Sequence, residues 1–383
     1  MKTRYELGLG GSPAADLLRQ SIELLEVEEN ADRPDALRLR VPVNRTSSGD
    51  LAYVGDQTFE PYTNITVTVT PPNQRAQCIF DGYALAWKLH FDRTSGCSTL
   101  EVWAQDASWL MNISDSVKEW SGMTDSQVAN QIFGDYHFTP AAANDDGSLP
   151  SHDPIAHTLF QRATDLQFLR GLARRNGKLC RVACTDSPGV RTGYFITPDV
   201  TGTPVTKLSL GDRDAWVADC LEFDWDVMRP TEVDASQLPL DSSAANGVSG
   251  NATATGLPAL AARDLPTYAN APIPPDATVG TLVLTPTADV AEVPQRATAA
   301  LRDASWFVRC TGETDVDRLG QTLRVGTVVQ LDGAGSLQSG KWFVWSVRHT
   351  ISIDAIKLRF TLVRNAMGAA ASSPGLSSAL GGL

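Results

Sequence analysis

No run of the sequence is apolar enough, for long enough, to supply the roughly 20 residues that a membrane-spanning helix needs. Positive charge is also in short supply: 32 basic residues face 44 acidic ones, for a net charge of −12. That deficit argues against general nucleic-acid binding, whose affinity comes from cationic contacts to phosphates, and against docking on anionic lipid. Histidine is scarce. His90, His137, His152, His157 and His349 are scattered, with no H-E-x-x-H or similar ligand spacing. No G-x-S-x-G, Walker A or G-x-G-x-x-G motif occurs, and the early "LGLGGSPAAD" reads as a flexible lead-in that follows no strand. No metal and no cofactor is expected. The start, "MKTRYELGLGGSPAADLL", lacks the apolar core and cleavage site of a secretory signal, so synthesis in the cytoplasm is expected. The six cysteines are then read as reduced thiols and not as a disulfide framework.

What the chain does have is a change of hydrophobic period along its length. Its 383 residues suggest two or three domains. Residues 1–115 read as a small antiparallel β domain with an N-terminal arm. After an amphipathic stretch at 12–26, "DALRLRVPV" alternates Leu37, Leu39, Val41 and Val43 with polar partners, the period-2 mark of a half-buried strand. "NITVTVT" alternates likewise and stops at Pro71-Pro72. "CIFDGYALAWKLHF" and "STLEVWAQD" flank a "DRTSG" turn as a hairpin.

Residues 116–206 read as an α+β middle domain. In "MTDSQVANQIFGDY", Thr124 and Gln127 stand at capping-box spacing. "RATDLQFLRGLARRNGKL" predicts a helix over 165–176. Thr164 is its N-cap, Asp165 suits its positive end, Arg174 and Arg175 its last turn, and Gly177 its stop. Leu166, Leu169, Leu172 and Ala173 share one face, with Phe168 at the border. Short strands "LCRVAC" and "GYFITP" follow. Residues 207–235 read as strands joining a second β block at 295–368. Between them, 236–294 read as an extended linker or arm, and 369–383 as a flexible tail.

One internal likeness stands out. "CIFDGYALAWKLHFDRTSGCSTLEVWAQD" and "GKWFVWSVRHTISIDAIKLRFTLVRNA" both run as an aromatic-started strand, a short turn and a second strand, a sign of two copies of one β unit. Candidates for chemistry are few. Glu222, Asp224 and Asp226 in "LEFDWDV" share one face of an extended strand, opposite Leu221, Phe223, Trp225 and Val227. Two carboxylates flanking one bond are what a glycosidase uses, but a solvated acidic face over a buried apolar one is the plainer reading. Cys180 and Cys184 face one side of a strand and read as small buried hydrophobes. His349, inside a strongly apolar strand, reads as structural or as an interface contact and not as a base. Trp342 and Trp345 fall on opposite sides by parity, one for the core and one as an exposed anchor.

Taken together, three segments resemble the phage late-control D family of baseplate hubs. The first is 160–182, with Gln161, Thr164, Asp165, Phe168, Leu169, Leu172, Ala173 and Gly177 at the family's helix positions. The second is 323–366, where Gly326, Gly333, Gly340, Trp342, Val344, Val347, His349, Phe360, Arg364 and Asn365 match its closing pattern. "IFDGYALAWKLHF" is similar to the family's first-barrel strand. The N-terminal region of type VI secretion valine-glycine repeat proteins is related. The resemblance implies a β-rich α+β fold with two small tube-like antiparallel β-barrels and a small α+β insertion, three chains forming a pseudo-sixfold ring. It implies no enzyme but a structural part of a phage virion, tailocin or contractile injection particle. Its partners would be two further copies (a homotrimer), the inner tube protein, a separate spike protein and other baseplate proteins. Neither nucleic-acid binding nor membrane insertion is expected. Glu222, Asp224 and Asp226 would then suit a lumen-facing strand. The rival readings are a tail-associated, peptidoglycan-cleaving enzyme using that acidic strand, and a monomeric β-rich binding module with a ligand pocket.

Overall fold

The computed structural model describes residues 2–94, 97–145, 147, 151–152, 158–210, 217–237, 248–269, 279–284 and 292–368. His157 and the 369–383 tail lie outside them. The first module comprises β1 (Arg4–Leu9), β2 (Leu24–Asn30), β3 (Ala36–Pro42), β4 (Asn64–Thr70), β5 (Gln77–His90) and β6 (Thr99–Asp106). Its sheet order is β1–β4–β5–β6–β3–β2, every neighbour antiparallel. The alternation of Leu37, Leu39 and Val41 buries one face of β3, as the period requires. The amphipathic stretch at 12–26 divides: a short helix holds Asp16–Ser21, and β2 begins at Leu24. The glycine-rich start is no lead-in. Arg4–Leu9 is a full strand against β4, and Gly10 and Gly11 take positive φ to turn the chain after it.

The middle domain runs β7 (Asp115–Trp120), α1 (Asp125–Asp135), β8 (Leu159–Thr164), α2 (Asp165–Arg175), β9 (Leu179–Cys184) and β10 (Arg191–Ile196). The capping box at α1 is complete: Gln127 N donates to Thr124 Oγ1 and Thr124 N donates to Gln127 Oε1. At α2, Gln167 N donates to Thr164 Oγ1, and Gly177 (φ +61°) ends the helix in the left-handed region. Leu166, Leu169, Leu172 and Ala173 are buried and Phe168 is half-buried. Next come β11 (Lys207–Ser209) and β12 (Cys220–Trp225).

The stretch read as an extended linker is a correction. Of its described parts, β14 (Val248–Ala252) and β15 (Val279–Leu284) pair with β13 (Glu232–Gln237) in a three-stranded sheet, and Arg263–Asp264 pairs with Ala366–Met367. The second β block, read from 295, opens instead inside α3 (Glu292–Ala304), whose Val293, Ala297 and Leu301 pack on that sheet. Small residues and Pro294 at the third helical position hid both elements from a periodicity reading.

The chain closes with β16 (Val308–Asp315), β17 (Val328–Asp332), β18 (Gly340–Ile351) and β19 (Ile356–Arg364). With β11 and β12 these form a second module in the order β11–β17–β18–β19–β16–β12. The two orders correspond strand for strand. They differ in that β11 runs parallel to β17, whereas β1 opposes β4. Both long hairpins carry a register shift at the same place, between Ala84 and Ala86 in β5 and between Val344 and Ser346 in β18. Before each, a residue at positive φ (Tyr62, Gly326) donates its N–H to the carbonyl of Ala84 or Val344. The bulge also overturns the parity argument for tryptophan. Trp342 is buried, but Trp345, the inserted residue, is half-buried against Trp306 and Phe343 and is no free anchor.

Candidate assembly surface and the charged module junction

The modules join edge to edge. The second half of β18 pairs with β2, from Ser346 opposite Asn30 to Ile351 opposite Leu25. On the core side of this seam sits a buried charge group. Glu29 and His349 are fully buried, and His349 Nε2 lies 3.1 Å from Glu29 Oε1. Arg324 Nε donates to Glu29 Oε2 at 3.0 Å, and Arg181 from β9 reaches the same oxygen at 3.6 Å and Asp35 at 3.1 Å. Burial would raise the Glu29 carboxyl, but the Arg324 charge and the His349 hydrogen bond prevail and hold it at about 2. Burial pushes Asp35 up to about 7, despite Arg181, with Asp106 and Glu29 adding to the rise; it pushes Asp106 to about 6. His349, read from its strand pattern as structural or as an interface contact, thus lies buried against Glu29. A cavity of about 1200 Å³ opens beside the group, with Arg75, Arg181, Arg324 and Tyr194 on its wall.

The outer face of the same seam is a ladder of ion pairs. Arg348 on β18 meets Glu28 on β2 at 2.7 Å. Across β3, Arg38 pairs with Glu101 and stands 3.8 Å from Glu26. In the second module Arg359 lies 3.6 Å from Glu313. Such exposed pairs add little stability, about 0–1 kcal/mol each, but they fix register and partner choice.

The signature residues settle in two places. In the middle domain Trp120 Nε1 donates to Gln161 Oε1 at 3.0 Å, Thr164 Oγ1 to Asn112 at 2.7 Å, and Tyr136 OH to Asp165 Oδ2 at 2.7 Å. These bonds lock α2 onto its neighbours. In the second module Arg364 is buried over the Trp342 ring, 4.9 Å from its centroid, and donates to the carbonyls of Gln338 (3.1 Å), Leu260 (3.4 Å) and Leu337 (3.5 Å). Asn365 accepts from Leu260 N and donates to Pro258 O, both at 2.9 Å. Gly340 takes φ +128°, and a Cβ there would stand 3.2 Å from the Arg364 guanidinium. Val347 is buried at the seam.

The acidic strand is partly dispersed. Glu222 and Asp224 stand on the exposed outer face of β12, while Asp226 lies just beyond the strand end, 3.3 Å from Arg229. β12 is an edge: among the described residues it pairs with β16 alone. Cys180 and Cys184 are buried and unpaired, burial raises the Cys180 thiol to about 12, and among the described residues no His, Cys, Asp or Glu group could hold a metal ion. No described helix is long and apolar enough to cross a membrane.

The family model of the Alg8 N-terminal domain matches residues 14–229, more than half of the chain. The chain belongs to the Alg8 N-terminal domain family. Of the likeness to late-control D hubs that the motifs carried, the solved structures show the phage-tail fold. No curated protein matches the sequence. Among solved structures, this chain is similar to a tail protein from Neisseria meningitidis, at 14% identity and TM-score 0.62, over 95% of this chain and 97% of that one. The 43 kDa tail protein of prophage MuSo2 from Shewanella oneidensis gives 13%, 0.65, 96% and 100%. An E. coli type VI secretion component, itself similar to the T4 bacteriophage tail proteins gp27 and gp5, gives 13%, 0.52, 94% and 76%. The fold is therefore that of phage-tail and type VI secretion tail proteins.

Proposed function

We propose that this member of the Alg8 N-terminal domain family is the hub of a contractile, phage-tail-like machine, a non-enzymatic adaptor between a hexameric inner tube and a trimeric spike. The carrying observation is a tail-protein fold built from two six-stranded modules in matching order. Two like modules per chain let three chains offer six similar units to a tube and threefold contacts to a spike. In this reading each module is one tube-like barrel and the homotrimer is a pseudo-sixfold ring. The partners are the tube protein, a separate spike protein and other baseplate proteins. The work is mechanical: the ring holds the spike before firing and carries the force of sheath contraction. Gold-labelled antibody against the chain should mark tail-like particles at one end, where tube meets spike. Label spread along the tube, or absent from isolated particles, would overturn the reading.

A further inference from the structure

The strand correspondence gives each residue of one module a partner in the other. Aligned on the bulges and paired strand by strand, Lys88 corresponds to Arg348, and Glu222, Phe223, Asp224 and Trp225 correspond to Glu26, Val27, Glu28 and Glu29. Within the chain, the β2 edge of the first module is filled by the second half of β18. Among the described residues, the matching pair of edges is open. β12 has no partner beyond β16, and β4 covers β5 only as far as Tyr83, leaving Ala86–His90 bare on that side among the described residues.

We infer that β12 of one copy docks antiparallel on Ala86–His90 of the next, repeating the β2–β18 seam between molecules. Transferring the register of that seam sets Ala86 opposite Asp226, Trp87 opposite Trp225, Lys88 opposite Asp224, Leu89 opposite Phe223 and His90 opposite Glu222. Three independent features agree with it. Lys88 would meet Asp224 as Arg348 meets Glu28, so the charges are complementary on the outer face. Trp87 lies opposite Val102 and Trp225 opposite Val308, both fully buried, so each tryptophan is on the core side of its sheet; yet they are 49% and 60% exposed. Large apolar side chains left bare on a core face at two open edges are what an interface buries. Finally, the contact is head-to-tail, joining one surface to a different one, and such contacts build rings when their rotation closes.

The inference rests on the ring reading for its purpose but not for its test. Lys88→Asp and Asp224→Lys should each weaken self-association about tenfold or more in light scattering, and the double variant should return to within about threefold of native. Both positions are exposed, so the fold should survive the changes. In a Cys97→Ser, Cys220→Ser background, Lys88→Cys with Asp224→Cys should oxidise to disulfide-linked oligomers, because antiparallel partners lie within disulfide reach. Six strands separate the two sites within one chain, so that bond reports a second copy. Unchanged assembly in both single variants, or no cross-link at high protein concentration, overturns the pairing. A cross-link in a protein absent from tail particles would spare the pairing and overturn the tail reading alone.

Discussion

Replacing Glu29 with alanine is expected to lower the unfolding free energy by about 3–5 kcal/mol, read as a fall in the urea midpoint. The carboxylate is the common acceptor for Arg324 and His349 at the seam, and Arg181 leans on it from the middle domain. Its removal leaves buried guanidinium groups facing an empty acceptor, which costs far more than any exposed ion pair. Glu29→Gln, which keeps the shape and a hydrogen-bonding oxygen, should cost less. The sign with pH follows from the carboxyl being held at about 2, below its ordinary 4.5. The stabilisation is full above 4.5 and is lost as pH falls from there towards 2. The alanine variant should therefore lack that part of the native acid sensitivity. A midpoint unchanged by Glu29→Ala would remove the seam from the account of stability.

Arg364→Leu should be the next most damaging change, at about 2–3 kcal/mol. Burial alone pulls this guanidinium down to about 10, and among the described residues no carboxylate pairs with it. It is kept by its stack on Trp342 and by three carbonyls, two of them at the end of the short Gly335–Gln338 helix. Leucine would fill the volume and orphan those carbonyls. Arg364→Lys should not restore stability, because an ammonium cannot both stack flat on the indole and fork to acceptors on two segments. The contrasting outcome, a leucine variant as stable as native, would mean that the carbonyls find water.

The elements easiest to read were those whose signals are local. Thr164, Gln167, the leucine spacing and Gly177 lie within fourteen residues and specify α2 without help. The hairpins were similarly plain, since alternation and turn sit side by side. β1 was missed because its alternation runs into Gly10 and Gly11 and looks like a lead-in, and its partner β4 is distant in sequence. The Glu29–His349 contact could not be seen at all, because its members are 320 residues apart. The likeness of the two hairpins was visible as pattern, but the register that equates Lys88 with Arg348 needed the paired strands. The acidic residues Glu222 and Asp224 were noticed for their charge, while the meaning proposed for them depends on the empty edge beside them.

The most direct test of the hub reading is the solution mass by light scattering over a concentration series, with negative-stain images of the same sample. A particle of three times the 41.1 kDa chain mass, seen as a hollow ring, is predicted. A monomer at every concentration, or a closed two-fold dimer, would contradict it.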